Sequence, residues 1–144
     1  MFFSRLTRLG QGLVSAILLA VLLPFVSVRA EEGVMEYNVV CIAEPGTDRR
    51  LSTGVCEDFL KLLRSTYPDR AFTAVTEGRT GPRLDLIISQ ARPEATALQL
   101  VWTDLQGVKR EGRVESVSAM DRELSSSMQQ SLYRRALMAN PLPE

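Results

Sequence analysis

Apolar and polar residues recur at two periods along this chain, and the change from one period to the other marks its elements. Val34-Met35-Glu36-Tyr37-Asn38-Val39-Val40-Cys41-Ile42-Ala43 is rich in β-branched and aromatic residues. It closes on Glu44-Pro45-Gly46-Thr47-Asp48, so the run predicts a strand followed by a turn. The period then lengthens. Val55, Cys56, Phe59, Leu60, Leu62 and Leu63 recur at helical spacing with Glu57, Asp58, Lys61 and Arg64 between them, which predicts an amphipathic helix opened by Ser52 or Thr53 as N-cap. Tyr67-Pro68-Asp69 ends it, because the residue before a proline is biased away from the α region.

The remainder reads mostly as strands. Ala71 to Thr76 predicts a second strand, and Glu77-Gly78-Arg79-Thr80-Gly81-Pro82 the loop after it. In the third, Leu84, Leu86 and Ile88 point one way while Asp85, Ile87 and Ser89 point the other, and Arg92-Pro93-Glu94 turns. Thr96 to Val117 predicts a hairpin in which Leu98, Leu100 and Trp102 share a face, Asp104-Leu105-Gln106-Gly107 turns, and Val108 to Val117 returns as a charged edge strand. Trp102 is expected in the core under the C-terminal helix, against Leu124, Met128 or Leu132. That helix is expected over Asp121 to Met138, capped by Ser118 or Asp121, with Met120, Leu124, Met128, Leu132, Ala136 and Leu137 along its apolar face. Asn140-Pro141 stops it, leaving Leu142-Pro143-Glu144 as an unordered tail.

The order β-α-β-β-β-β-α predicts an α+β fold, a two-layer sandwich in which two helices cover one face of a mainly antiparallel sheet of four to five strands, the first strand pairing beside the third or fourth. In element order this is similar to small envelope domains such as the N-terminal domain of the translocation protein TolB, with no sequence motif in common.

Ahead of these elements, Arg5 and Arg8 precede an apolar run from Leu13 to Val28, and Val28-Arg29-Ala30 is a small-x-small site. Residues 1–30 therefore read as a secretory signal peptide and residues 31–144 as a single small domain. The rival is a retained anchor, against which the run is short and broken by Pro24. Loss of Arg5, Arg8 and Arg29 leaves 14 basic residues against 17 acidic ones, a formal charge of −3. With no basic excess and no interleaved aromatics, nucleic acid is not an expected partner.

An exported chain oxidises its thiols, so the two cysteines, Cys41 and Cys56, are expected to pair. The bond would close a loop of roughly 15 residues and be worth about 3 kcal/mol in the chain-entropy model. The competing expectation is a redox protein using Cys56, placed at a helix start, with Cys41 as its resolving partner. The chain has no histidine, which excludes the usual serine and cysteine triads and histidine metal sites. Gly46 to Gly54 lies between a strand and a helix as phosphate loops do, but lacks the motif lysine. The acidic pairs Glu31-Glu32, Glu57-Asp58 and Glu111 with Glu115 read as a terminus, a pair near a helix start favoured by the dipole and the charges of an exposed strand rather than as acid catalysts. No catalytic residue, cofactor or metal is expected. The loop arginines Arg49, Arg50, Arg79, Arg83 and Arg92 form a candidate anion or partner patch if their loops meet at one end of the sheet.

These readings make the chain a non-enzymatic exported module, periplasmic or secreted, that binds another envelope or secreted protein and has no stable membrane span after signal cleavage. The alternatives are the thiol protein and a small-ligand or anion binder. N-terminal sequencing of exported material should give Glu31 as the first residue. A product that retains Met1 in the membrane would overturn the cleavage.

Overall fold

A hydrophobic strand flanked on both sides by parallel neighbours sets the plan of the computed structural model, which describes residues 33–77 and 80–144. That strand is β1 (Glu36–Ala43). It is followed by α1 (Arg49–Thr66), β2 (Ala71–Ala74), β3 (Arg83–Arg92), β4 (Ala95–Thr103), β5 (Lys109–Glu111), β6 (Glu115–Ser118) and α2 (Ser126–Ala139). The chain divides into two units, Met1–Glu31 and Glu32–Glu144, and the proposed signal peptide lies outside the described residues. The sheet runs β2-β1-β3-β4, with β5 and β6 both paired to β4. The fold is α+β, as its element order implies. Its sheet is mixed, β1 being parallel to β2 and β3 while the pairs made by β4 are antiparallel.

Alternation decides which face is covered. Tyr37 and Val39, Leu84, Leu86 and Ile88, and Leu98, Leu100 and Trp102 form the sheet side of the core. Val55, Phe59, Leu60 and Leu63 of α1 and Leu132, Tyr133, Ala136 and Leu137 of α2 lie against them. The two helices meet where the rings of Phe59 and Tyr133 pack edge to face at 5.7 Å. The opposite sheet face carries Val40, Asp85, Val101 and Glu111 in one row of register partners and Ile42, Ile87 and Gln99 in the next. The connection from β2 to β3 arrives on this second face: the Asn38 amide donates to the Pro82 carbonyl at 3.0 Å, and Gly81 abuts the Asn38 side chain.

Both helices start elsewhere than their sequence suggests. Asp48, not Ser52 or Thr53, caps α1, its Oδ1 accepting from the Leu51 amide at 2.9 Å. The Glu44–Thr47 turn closes early through Gly46 at φ 91°, so the helix gains a turn. Ser52 and Thr53 then lie inside it and donate back to the carbonyls of Asp48 and Arg49. For α2 the cap is Ser125 rather than Ser118 or Asp121. Asp121 sits at φ 60°, while Ala119 and Leu124 donate to the carbonyls of Glu94 and Pro93, so the segment is held to the β3–β4 turn before it can become helical. Met120, expected on the apolar face, is 90% exposed.

The returning strand of the hairpin is broken in two at Gly112. Asn140, the C-cap of α2, is 4% exposed and donates through Nδ2 to the Leu100 carbonyl at 3.0 Å, the same oxygen that accepts from the Gly112 amide at 2.8 Å. A Cβ on Gly112 would lie 2.8 Å from Asn140 Nδ2 and 3.1 Å from the Leu100 oxygen, so only glycine fits. The Asn140 carbonyl in turn accepts from Trp102 Nε1 at 2.8 Å. Trp102 is buried as expected, edge-on to Tyr37 at 5.9 Å, but its hydrogen-bond partner is the end of α2. Met128 is about 18 Å away along the helix axis, and both it and Leu124 are only half-buried. The C-terminal tail is ordered here, contrary to expectation: Leu142 packs against the core and its amide donates to the Tyr67 hydroxyl at 3.3 Å.

Because Gly112 and Asn140 share one space, Gly112→Ala should cost about 1–3 kcal/mol by overpacking, and less than about 1 kcal/mol in an Asn140→Gly background. Denaturant unfolding of the four proteins, followed by Trp102 emission, measures the coupling. Additive costs would show that the two residues do not compete.

Candidate functional site

The densest chemistry lies at the carboxyl ends of β1 and β2, beside the start of α1. Cys41, two residues from the end of β1, is disulfide-bonded to Cys56 with Cα atoms 6.1 Å apart, and no described cysteine is free. Cys56 is the eighth residue of α1. That places it about 10 Å from the helix start, beyond the first turn in which the dipole acts on a thiol. The electrostatic argument for a reactive Cys56 therefore loses its cause.

The candidate arginines are distributed rather than gathered. Arg49 lines a cleft of about 300 Å³ with Cys41, Cys56 and Ala74. Its neighbour Arg50 points into a separate cleft of about 310 Å³ with Arg92, Asp58, Glu123 and Gln129. Arg83 is at the other end of the ten-residue β3, about 30 Å from Arg92. There it is held on the second sheet face by an ion pair with Asp85, its Nη2 donating to Oδ2 at 3.0 Å. Arg79 lies outside the described residues. Of the four that are described, Arg50 and Arg92 share a cleft.

Four amides of the glycine-bearing loop and the first turn of α1 are bonded internally. Those of Thr47, Asp48, Leu51 and Ser52 bond respectively to the Glu44 carbonyl, the Ala91 carbonyl, the Asp48 carboxylate and the Asp48 carbonyl. An anion would have to displace the Asp48 side chain to reach the Leu51 amide. The acidic pairs also separate. Glu57 and Asp58 face different clefts, and Asp58 holds Lys61 at 3.0 Å. Three residues on β4 separate the partners of Glu111 and Glu115, but four separate the two acids, so the extra residue puts them on opposite faces. Glu115 is buried beneath α2, where Arg113 donates to it and Arg135 approaches it at 3.8 Å. Glu31 and Glu32 lie outside the described residues.

Two buried tyrosines were not among the expected site residues. Burial pushes the Tyr133 hydroxyl up to about 12, the Asp58 carboxylate adding to the effect, and this hydroxyl has no hydrogen-bond partner among the described residues. Burial also raises Tyr37, with Arg70 opposing. The helical spacing from Gln129 to Tyr133 was the available signal. No group of three or more acidic, cysteine or histidine side chains is placed to hold a metal among the described residues.

No family model matches this chain, and no curated protein matches it. Among solved structures, an uncharacterized protein is similar over 73% of this chain and 93% of its own, at 10% identity and a TM-score of 0.39. A likeness of that degree transfers neither fold nor function.

Replacing Cys41 and Cys56 together by serine should lower unfolding free energy by roughly 2–4 kcal/mol. Denaturant titration of both proteins reads the difference. Equal midpoints would mean that the cross-link does not constrain the unfolded chain.

Proposed function

We propose that this chain is a non-enzymatic exported module, periplasmic or secreted, that docks on another protein of the cell envelope or of an assembly pathway. The observation that carries this reading is the sheet face left bare by both helices. Ile42 and Ile87 are register partners there, and Ile42, next to the end of β1, is 41% exposed on a face that also carries Gln99 and the Arg83–Asp85 pair. Exposed apolar residues bordered by polar and ion-paired ones are the anatomy of a protein interface. Export is supported by the signal pattern before Glu31 and by the disulfide, a bond that persists in oxidising compartments. Among the described residues no helix is long and apolar enough to cross a membrane.

A second reading has one observation in its favour. Arg50 and Arg92 converge on a single cleft, as an anion binder would need, although Asp58 and Glu123 in the same walls offset their charge. The thiol reading has less support, since Cys56 lies too deep in α1 for activation by the helix start.

A photo-crosslinking residue at position 42, introduced in the producing cell, should yield a discrete adduct that is absent when the same residue stands at the exposed position 130 of α2. Ile42→Asp should abolish the contact in envelope pull-downs while shifting stability by no more than about 0.5 kcal/mol. Equal adducts from both positions would remove the sheet face as the docking surface.

A further inference from the structure

The chain leaves the carboxyl ends of its two adjacent parallel strands on opposite faces. From β1 it passes into α1 on the core side, whereas from β2 it returns to β3 beside Asn38 on the second face. In open sheets such a switch of direction leaves a crevice between the strand ends, and ligands bind there. Here the crevice is present: a cleft of about 300 Å³ lined by Ala43 and Ala74 at the two strand ends, by Ile88 and Leu60, and by both disulfide cysteines. That volume is at the lower end of small-molecule pockets.

Its shape and charge indicate the ligand. The α1 residues in its wall are Arg49, Ser52, Thr53, Cys56, Glu57 and Leu60, a single helical stripe. A stripe of that length spans about 16 Å along the axis, so the cleft is elongated. Arg49 stands at one end, and its guanidinium has no hydrogen-bond or ion-pair partner among the described side chains. Glu57 is about 12 Å further along the helix, too far to neutralise it. Ser52 and Thr53 hydroxyls are already spent on helix carbonyls, and Asp48 occupies the Leu51 amide, so among the described side chains of the wall the Arg49 guanidinium is the one cationic group offered to an anion. One cation matches one negative charge and leaves a phosphate dianion undercompensated. Apart from Glu57 and the two bonded hydroxyls, the rest of the wall is apolar.

We propose that this crevice binds a linear aliphatic carboxylate, its head on Arg49 and its chain running between α1 and the ends of β1 and β2. The small side chains of Ala43 and Ala74 admit the chain. The Cys41–Cys56 bond holds the two walls at a fixed separation, which makes the disulfide part of the pocket and preorganises it.

Isothermal titration of the full chain with octanoate and with octylammonium tests this. Saturable octanoate binding is expected, at least about tenfold tighter than octylammonium. Arg49→Gln should weaken octanoate by a similar factor and leave octylammonium unchanged, whereas Ala74→Leu should fill the cleft and abolish both. If Ala74→Leu alters the Trp102 emission of the folded protein, Ala43→Leu serves in its place. Absence of saturable binding, equal binding of the two amphiphiles, or octanoate binding unaltered by Arg49→Gln would overturn the proposal.

Discussion

Placing β1 between two parallel neighbours imposes the costliest requirement on this chain, because neither neighbour can be reached by a tight turn. The first crossover is made by α1, and the disulfide fastens that helix to the end of the strand it leaves. Closing the 15-residue separation in the unfolded chain removes entropy that the parallel pair would otherwise have to overcome. The second crossover has no helix among its described residues and depends on backbone bonds such as that between Asn38 and Pro82. The remainder of the sheet is added by antiparallel hairpins, whose local pairing needs no such device.

At the opposite end of the molecule the closure is polar. The Trp102 indole needs an acceptor when buried, the last carbonyls of α2 need donors, and the broken edge at Gly112 leaves the Leu100 carbonyl accessible. Asn140 answers all three demands within one residue, so the end of the helix is locked to the centre of the sheet. An unsatisfied group at any of these positions would cost about 1–3 kcal/mol. Both sheet edges are also blunted. Arg64 caps the outward carbonyl of Phe72 on β2, and β5 is three exposed charged residues long.

The electrostatics follow from that architecture. Arg83 and Arg92 are the first and last of the ten residues of β3, and adjacent positions on α1 turn Arg49 and Arg50 into different clefts. The charge of the loops is thus divided among an ion pair, a mixed cleft and one guanidinium at the mouth of an apolar crevice. That division is in keeping with the small formal charge of the chain.

The alternation of Leu84, Leu86 and Ile88 and of Leu98, Leu100 and Trp102, and the helical spacing from Val55 to Leu63, determined the elements, their order and which face each would bury, because periodicity is a property of neighbours in the chain. The pairing of Cys41 with Cys56 was legible for a similar reason, there being only two cysteines and one plausible geometry. Sequence did not determine the caps at Asp48 and Ser125, since Ser52, Thr53 and Asp121 are equally good capping types, and the choice was made by the Gly46 turn and by bonds to Ala91, Glu94 and Pro93. Nor did it reveal the break at Gly112, whose cause is a side chain 28 residues later. The crevice at Arg49 was hidden as well. It belongs to no segment, and arises only where a helix, two strand ends and a reversal of chain direction come together in space.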